Sequence, residues 1–175
     1  MSKFKNPPNA HTTQNKISLA RLEDAIPVAK LLQRVMYQWK DYFTTDFIGG
    51  LIGKNEVYLI YSEGQMAGTI SMSTDSSWAT DERKQVKWHD ESAKALYIYD
   101  LAVLPEHQNK GLASELLHEV EEETKKRGIK YLRGAAISDN PNLIEFYKKR
   151  NYTVVGKGKV NWWKEDVNFI EKIIK

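Results

Sequence analysis

Apolar and polar positions alternate along the chain with two distinct periods. Period-two alternation predicts strands over 16–21, 56–62, 66–73, 152–160 and 166–174. Helical spacing of apolar residues predicts helices over 25–39, 45–51, 112–124 and from 140 onward. With two central strands, the predicted order is β-α-α-β-β-β-α-β-α-β-β, which is a mixed sheet in an α/β domain.

The two central strands are predicted over 95–104 and 129–137. The first is apolar on both faces apart from Asp100, as expected of a strand covered on both sides. In that pattern Asp100 would share a face with Leu96, Ile98 and Ala102. Because a long helix separates the two strands, they should be parallel and joined by a right-handed crossover.

Local signals mark where several elements begin and end. Asp24 is placed to cap the first helix, and Asn140 with Pro141 should open the last one. Gly128 is a suitable stop for the helix that starts at Leu112. A turn at 63–65 should join two strands as a hairpin.

The length of 175 residues and a hydrophobic content of 41% predict one globular domain over 16–175. Residues 1–15 are polar and contain Pro7 and Pro8, so a flexible tail is expected there. The chain lacks a long apolar run and a signal-peptide pattern, which predicts no membrane association and a cytoplasmic location. The polar stretch 74–94 is long for a compact domain and should be functional or mobile.

Charge and cysteine content narrow the chemistry. The net charge of +3 is small and intermixed with acidic residues, so no nucleic-acid partner is predicted. Without cysteine, disulfides, thiolate metal sites and acyl-cysteine intermediates are excluded. No histidine or carboxylate spacing indicates a metal site.

The loop between the first central strand and the next helix is the most informative segment. Gly111, Ala113 and Ser114 lie where the helix begins, so its free N–H groups and dipole would suit an anion, and Lys110 can add charge. A plain connecting loop is the alternative. A Walker loop is excluded at 48–55, which lacks the first glycine and the final hydroxyl, and no GxGxxG is present.

Two motifs at these positions resemble the GNAT superfamily of acetyl-CoA-dependent N-acetyltransferases. Gln108-Asn-Lys-Gly-Leu-Ala113 matches the family signature Gln/Arg-x-x-Gly-x-Gly/Ala, five residues after Val103. Asn140 is followed seven residues later by Tyr147, as in the second family motif. The chain departs from that motif at Leu143, where a small residue is common, and at Asn151-Tyr152, which replaces Gly-Phe.

The resemblance implies a fold and a donor. The fold would be a mixed central sheet with splayed parallel strands 95–104 and 129–137 and helices on both faces. The donor would be acetyl-CoA, without a metal. Its pyrophosphate would be bound mainly by backbone N–H groups of Gln108, Asn109, Lys110, Gly111, Leu112, Ala113 and Ser114.

The rest of the donor would lie along the first central strand. Leu101 and Val103 would pair with pantetheine, and the Val103 N–H would polarise the thioester carbonyl. Asn140 would contact pantetheine through its side chain, a role that competes with its use as a helix cap.

Acetyl transfer needs a base for the amine and an acid for the thiolate. The resemblance implies Tyr147 as the acid; packing with Leu143 and Phe146 on one helix stripe is the alternative. For the base, Asp100 is the candidate, because a carboxylate on an apolar face is costly unless it is paired or used. A buried, hydrogen-bonded Asp100 without a chemical role is the other possibility. Tyr97 and Tyr99 could line the acceptor cleft or fill the core.

Aromatic and acidic residues could border an acceptor site for a cationic amine. The candidates are Trp39, Tyr42, Phe43, Trp78, Trp88, Trp162 and Trp163, with Asp81, Glu82, Asp90 and Glu91. Core or dimer-interface packing is the alternative for each aromatic residue, and a homodimer is possible. Of the histidines, His89 could reach an acceptor, whereas His107 should be solvated.

Three functions fit these patterns. The first is an N-acetyltransferase for a small-molecule primary amine, working by direct attack in a ternary complex. The second is a protein or peptide N-acetyltransferase. The third is a CoA-binding regulatory domain without turnover.

Overall fold

The computed structural model describes residues 15–75, 86–159 and 165–175. Its α-helices are α1 (Ala25–Val35), α2 (Thr45–Gly53), α3 (Leu112–Lys126) and α4 (Pro141–Lys148). Its strands are β1 (Lys16–Leu19), β2 (Val57–Ser62), β3 (Gln65–Ser73), β4 (Ala95–Val103), β5 (Tyr131–Ile137), β6 (Thr153–Lys159) and β7 (Asp166–Ile173). Short 3-10 helices occupy Leu22–Asp24, Tyr37–Trp39 and Pro105–His107. This order of helices and strands confirms the prediction.

The strands form one sheet in the order β1-β2-β3-β4-β5-β7-β6. Neighbouring strands are antiparallel except β4 and β5, whose parallel pairing confirms the prediction. These two strands pair only over Ala95–Ile98 and Tyr131–Gly134. Beyond Ile98, β4 keeps β3 as its neighbour while β5 continues beside β7, so the parallel strands separate.

Helices cover both faces of the sheet. One core contains the apolar sides of α3 and α4, which we call the α3 face, and a second core contains those of α1 and α2, which we call the α1 face. The predicted stripe of α3 is buried as expected, and its members are Leu112, Leu116, Leu117, Val120 and Thr124. Each buried leucine contributes about 1.5–3 kcal/mol, so this stripe holds the beginning of α3 firmly against the sheet.

The start of α1 differs from the prediction that Asp24 caps it. The Asp24 side chain makes no cap hydrogen bond to α1. Instead its carboxylate accepts a hydrogen bond from the Arg21 N–H at 2.8 Å, because a 3-10 turn precedes the helix. The Asp24 carboxylate therefore stabilises the 3-10 turn before α1 and does not cap α1 itself.

A β-bulge in β4 overturns the expected face of Asp100. Thr69 lies opposite Ala102 and Ser71 opposite Tyr99, so Asp100 and Leu101 both face the single residue Ile70. Asp100 adopts the left-handed region with φ +54°, a conformation that aspartate tolerates better than most residues.

The bulge inverts the side-chain alternation along β4. Leu96 and Ile98 lie in the core of the α3 face, whereas Ala102 lies in the core of the α1 face. The prediction that all of them share one face with Asp100 is therefore wrong.

Part of the long polar stretch packs against the sheet. Val86 bridges to Gly156, the Lys87 N–H donates to the Val155 carbonyl at 3.0 Å, and Trp88 packs against Phe169. Residues 76–85 of the stretch, like residues 1–14 of the predicted tail, lie outside the described residues.

None of the helices in the described ranges is long and apolar enough to cross a membrane.

Candidate active site

The gap between β4 and β5 has a backbone donor on its edge. The Leu104 N–H donates to the Ala67 carbonyl at 2.8 Å, which makes Val103 and Gly68 a non-hydrogen-bonded pair. In such a pair the N–H of Val103 points away from β3 and toward the gap. An extended ligand could add to β4 here as a further strand would.

Close packing holds this part of β4 against β3. A Cβ on Gly68 would lie 2.7 Å from the Ala102 carbonyl oxygen and 3.1 Å from Val103 Cγ2. Glycine therefore allows the close approach that fixes the position of Val103. The side chains of Leu101 and Val103 pack into the core of the α3 face.

The loop after β4 presents free N–H groups at the start of α3. Ser114 and Glu115 donate their N–H groups to the Gly111 carbonyl, at 2.9 and 3.1 Å. The N–H groups of Leu112 and Ala113, the two residues directly after Gly111, have no acceptor among the described residues. With the helix dipole behind them, they form a cradle for an anion.

Two residues with a left-handed backbone conformation shape this cradle. Asn109 has φ +61° and Gly111 φ +84°. A Cβ on Gly111 would meet no atom within 4 Å, so the loop faces open space at this point. Asn109, Lys110 and Gly111 are exposed and accessible to a ligand.

Gln108 joins the loop to the strand. Its Nε2 donates to the Val103 carbonyl oxygen at 2.9 Å. The side chain thus fixes the end of β4 relative to the start of α3, and Gln108 is an exposed residue of the same loop. His107, expected to be solvated, is instead buried, and its Nδ1 has no partner among the described residues.

Arg150 is a residue of this region that the sequence analysis missed. Its guanidinium donates to the Ser114 hydroxyl and, at 2.8 Å, to the Phe146 carbonyl. It also lies 3.8 Å from the centroid of the Phe146 ring. The signal available in the sequence was its position in the short basic stretch that follows Tyr147.

Asn140 is the N-cap of α4, as predicted. Its Oδ1 accepts a hydrogen bond from the Leu143 N–H at 3.1 Å, and Pro141 occupies the first turn. The cap uses the carbonyl oxygen and leaves the amide NH2 group available. Capping and ligand binding therefore need not compete, because they use different atoms.

Tyr147 is buried in the core of the α3 face. Its ring packs edge-on against Phe146 and Tyr152, each with centroids 5.3 Å away. Burial raises the pKa of Tyr147, and the Arg150 guanidinium opposes this increase. The hydroxyl is therefore protonated at neutral pH.

Asn151, with φ +65°, ends the helix region in the left-handed conformation that glycine usually supplies.

Asp100 is a buried carboxyl group without a partner. It is 5% exposed, and its Oδ2 has no hydrogen-bond partner among the described residues. Burial raises the pKa of Asp100 to about 7. Burial fits both interpretations of Asp100, whereas the unbonded Oδ2 favours a chemical role over a purely structural one.

Polar side chains adjoin Asp100 on the α1 face. Burial and, after it, the Asp100 charge raise the pKa of Tyr42, which packs against the core of the α1 face. Burial, then Glu56 and then Asp100, raise the pKa of Tyr99. Glu56 and Ser71 were not singled out from the sequence; the alternation of Thr69, Ser71 and Ser73 along a central strand was the available signal.

The remaining residues that were candidates for the acceptor site have other surroundings in the structure. The His89 Nδ1 lies 2.8 Å from Glu171 Oε1, and Trp88 packs against Tyr97, Phe169 and the Arg133 guanidinium. Phe43 is fully buried and Trp39 packs at the edge of the α1-face core. Asp90 and Glu91 are exposed. The candidates outside the described residues are Trp78, Asp81, Glu82, Trp162 and Trp163.

Within the described ranges, no group of three or more histidine, aspartate or glutamate side chains is arranged to hold a metal ion.

Comparisons with known proteins agree with this geometry. The model of the acetyltransferase (GNAT) family matches residues 21–152. No curated protein matches the sequence.

Solved structures share the fold over nearly the whole chain. A GNAT-family acetyltransferase of Streptococcus agalactiae has a TM-score of 0.78 at 17% identity, covering 95% of this chain and 99% of its own. The ribosomal-protein-S18-alanine N-acetyltransferase of Escherichia coli has a TM-score of 0.72 at 18% identity, covering 93% and 95%. YncA of Salmonella typhimurium, whose structure contains its cofactor acetyl-CoA, has a TM-score of 0.71 at 18% identity, covering 93% and 95%. The chain described here belongs to the GNAT family of acetyltransferases.

Proposed function

We propose that the protein is an N-acetyltransferase that moves the acetyl group of acetyl-CoA to a primary amine of a small molecule by direct attack in a ternary complex. One observation carries the proposal. The unpartnered carboxyl group of Asp100 lies on β4 where that strand leaves β5, just before the anion cradle of α3. Donor, acceptor and base would meet at this opening.

The donor would be bound along β4 and at the start of α3. Acetyl-CoA supplies an activated acyl group as a thioester. Its pyrophosphate fits the free N–H groups of Leu112 and Ala113, and the exposed loop from Gln108 to Ser114 would surround it. Arg150 would add a positive charge beside Ser114. Leu101, Val103 and Asn140 would contact the pantetheine chain.

The Val103 N–H would stabilise the oxyanion of the tetrahedral intermediate. It points into the gap, and the Gln108 side chain holds the carbonyl of the same residue. A donor fixed in this way needs no reorganisation during the reaction. Gln108 would therefore support the chemistry by positioning Val103.

Asp100 would act as the base. An alkylamine with a pKa near 10.4 is neutral in only about one molecule in 2,500 at pH 7. A carboxyl group with a pKa of about 7 is half ionised at that pH and can take the proton as the nitrogen attacks. The absence of cysteine closes an acyl-cysteine route, which supports direct attack by the amine.

Tyr147 would donate a hydrogen bond to the departing thiolate. Because burial raises the pKa of Tyr147, its proton stays on the phenol. A thiol has a pKa of about 8.5, so complete transfer from Tyr147 would be uphill. The hydroxyl would lower the energy of the thiolate by hydrogen bonding, and Arg150 would assist.

The test is release of free thiol from acetyl-CoA with a panel of small amines and peptides, together with thermal shift in the presence of acetyl-CoA. We expect a clear shift and thiol release with small amines. Thiol release with peptides alone would show a peptide acetyltransferase. A shift without any turnover would support a CoA-binding domain, and no shift would overturn the donor site.

A further inference from the structure

We propose that the acceptor is a small amine with a second cationic group, held with one nitrogen at Asp100 and the other at Glu56. The proposal rests on the proposed function and names the substrate class of the same site. It concerns the α1 face of β3 and β4.

Glu56 immediately precedes β2 and is half-buried beside this face. Its Oε1 accepts a hydrogen bond from the Ser73 hydroxyl at 2.6 Å, and its Oε2 accepts one from the Tyr99 hydroxyl at 3.3 Å. Tyr99 lies opposite Ser71 in the sheet and immediately precedes Asp100. Tyr99 therefore links the neighbourhoods of the two carboxyl groups.

Neither carboxyl group has a cationic partner. Among the described residues, Glu56 and Asp100 form no ion pair. The hydrogen bonds to Glu56 come from neutral hydroxyl groups, which leave its charge uncompensated. Buried carboxylates are normally paired with a cation. The buried Asp100 and the half-buried Glu56 both lack one and therefore fit a ligand that brings two positive charges.

Two buried polar atoms on this face lack hydrogen bonds, which independently indicates a ligand. They are Asp100 Oδ2 and Ser71 Oγ, in residues that are 5% and 1% exposed. Buried polar atoms are nearly always hydrogen-bonded. An ammonium group carries three donors and could bond to both oxygens at once.

The spacing sets the length of the ligand. Ser73, which binds Glu56, lies opposite Tyr97, three residues before Asp100. At about 3.3 Å per residue, this separation is about 10 Å along the strand. A diamine with several methylene groups would reach both carboxylates, with the Tyr99 ring beside its chain, whereas ethylenediamine would be too short.

The experiment compares linear diamines from ethylenediamine to hexamethylenediamine with monoamines of the same length. We expect the longer diamines to have a kcat/KM at least about tenfold above that of the matched monoamines. In Glu56→Gln this ratio should fall to about one, mainly through a higher KM for the diamine. Glu122→Gln, an exposed substitution on α3, should leave the ratio unchanged.

Equal use of monoamines and diamines, or equal losses for both in Glu56→Gln, would overturn this inference while leaving the proposed function in place. A preference for peptides over all small amines would also overturn it. Absence of thiol release with every amine and peptide would overturn both proposals. Because each variant is judged by a ratio of two substrates, partial unfolding would not imitate the expected result.

Discussion

Asp100 and Glu171 are both buried carboxyl groups in the same sheet, but their surroundings are opposite. Glu171 on β7 accepts a hydrogen bond from Arg133 Nε at 2.8 Å and another from the His89 N–H at 3.0 Å. Arg133 and Glu171 are each 2% exposed. Asp100 has no cationic partner among the described residues, and its Oδ2 makes no hydrogen bond there.

The comparison distinguishes a buried charged group that stabilises the fold from one that can take part in a reaction. A buried ion pair keeps both groups ionised and resists change. An unpaired buried carboxyl group has a raised pKa, exchanges its proton near neutral pH and is destabilising when ionised. These surroundings support the proposal that Asp100 accepts a proton, whereas Glu171 holds β5, β7 and the segment around His89 together.

The largest expected effect is on turnover. Asp100→Asn should lower kcat about thousandfold, because general base catalysis contributes about 10²–10⁴. Steady-state thiol release at saturating acetyl-CoA measures this change. The matched variant is Glu171→Gln, whose kcat per folded molecule should stay within about twofold of the wild type. Equal losses in the two variants would refute the distinction.

The second effect is on how the free energy of unfolding depends on pH. The folded-state pKa of Asp100, about 7, lies above its ordinary value, so the native state binds a proton that the unfolded state releases. The free energy of unfolding should therefore fall as pH rises from about 4 to about 7, by up to about 4 kcal/mol from this group.

Asp100→Asn removes this group. Its free energy of unfolding should therefore increase relative to wild type over the same pH range. Urea unfolding of both proteins from pH 4 to pH 8 measures the difference. A difference independent of pH would show that the carboxyl group is not destabilised by burial.

The third effect is a loss of stability when the paired carboxylate of Glu171 is replaced by a neutral amide. Glu171→Gln leaves the buried Arg133 without its counter-charge and should lower the free energy of unfolding by about 3–5 kcal/mol. Chemical denaturation at pH 7 measures it. A loss below about 1 kcal/mol would mean that the pair is not a structural element.

The fourth effect applies the same comparison to two tyrosines. The Tyr152 hydroxyl donates to Glu121 at 3.1 Å, whereas the Tyr147 hydroxyl has no hydrogen bond among the described residues. Tyr147→Phe should lower kcat about 30-fold with little change in acetyl-CoA affinity, because a hydrogen bond to a charged group such as the thiolate contributes about 2 kcal/mol. Tyr152→Phe should leave kcat nearly unchanged. Parallel losses of rate and affinity in Tyr147→Phe would make Tyr147 a packing residue.

The smallest effect compares the glycines that flank α3. Gly111 and Gly128 both have positive φ, +84° and +65°, and open space where a Cβ would lie. Alanine at either position should cost about 1 kcal/mol of stability. Only Gly111→Ala should also raise the Kd for acetyl-CoA, about tenfold, because its methyl group would face the phosphate. Calorimetric titration with acetyl-CoA separates the two variants.

Hydrophobic periodicity was sufficient for the architecture. The buried stripe from Leu112 to Thr124 and the two-sided burial of β4 led directly to the parallel pair and its crossover helix. The cap at Asn140 was also predictable, because Asn followed by Pro is a local signal.

Tertiary details of the candidate site were not predictable. The bulge at Asp100 adds one residue to β4 without any change in the apolar pattern, so the face of Asp100 could not be read from alternation. Arg150 and Ser114 are 36 residues apart in the sequence, so their contact arises only from the tertiary structure. His107 carries no sequence signal for burial at the end of β4.

The most direct test of the account is the pH dependence of kcat/KM for the amine in wild type and in Asp100→Asn. We expect the wild-type value to rise up to about pH 7 and then level off, as Asp100 becomes ionised. In the variant it should be far lower and continue to rise toward the pKa of the amine, because only the neutral amine reacts. Two profiles of the same shape would contradict the account, since they would show that Asp100 does not handle the proton.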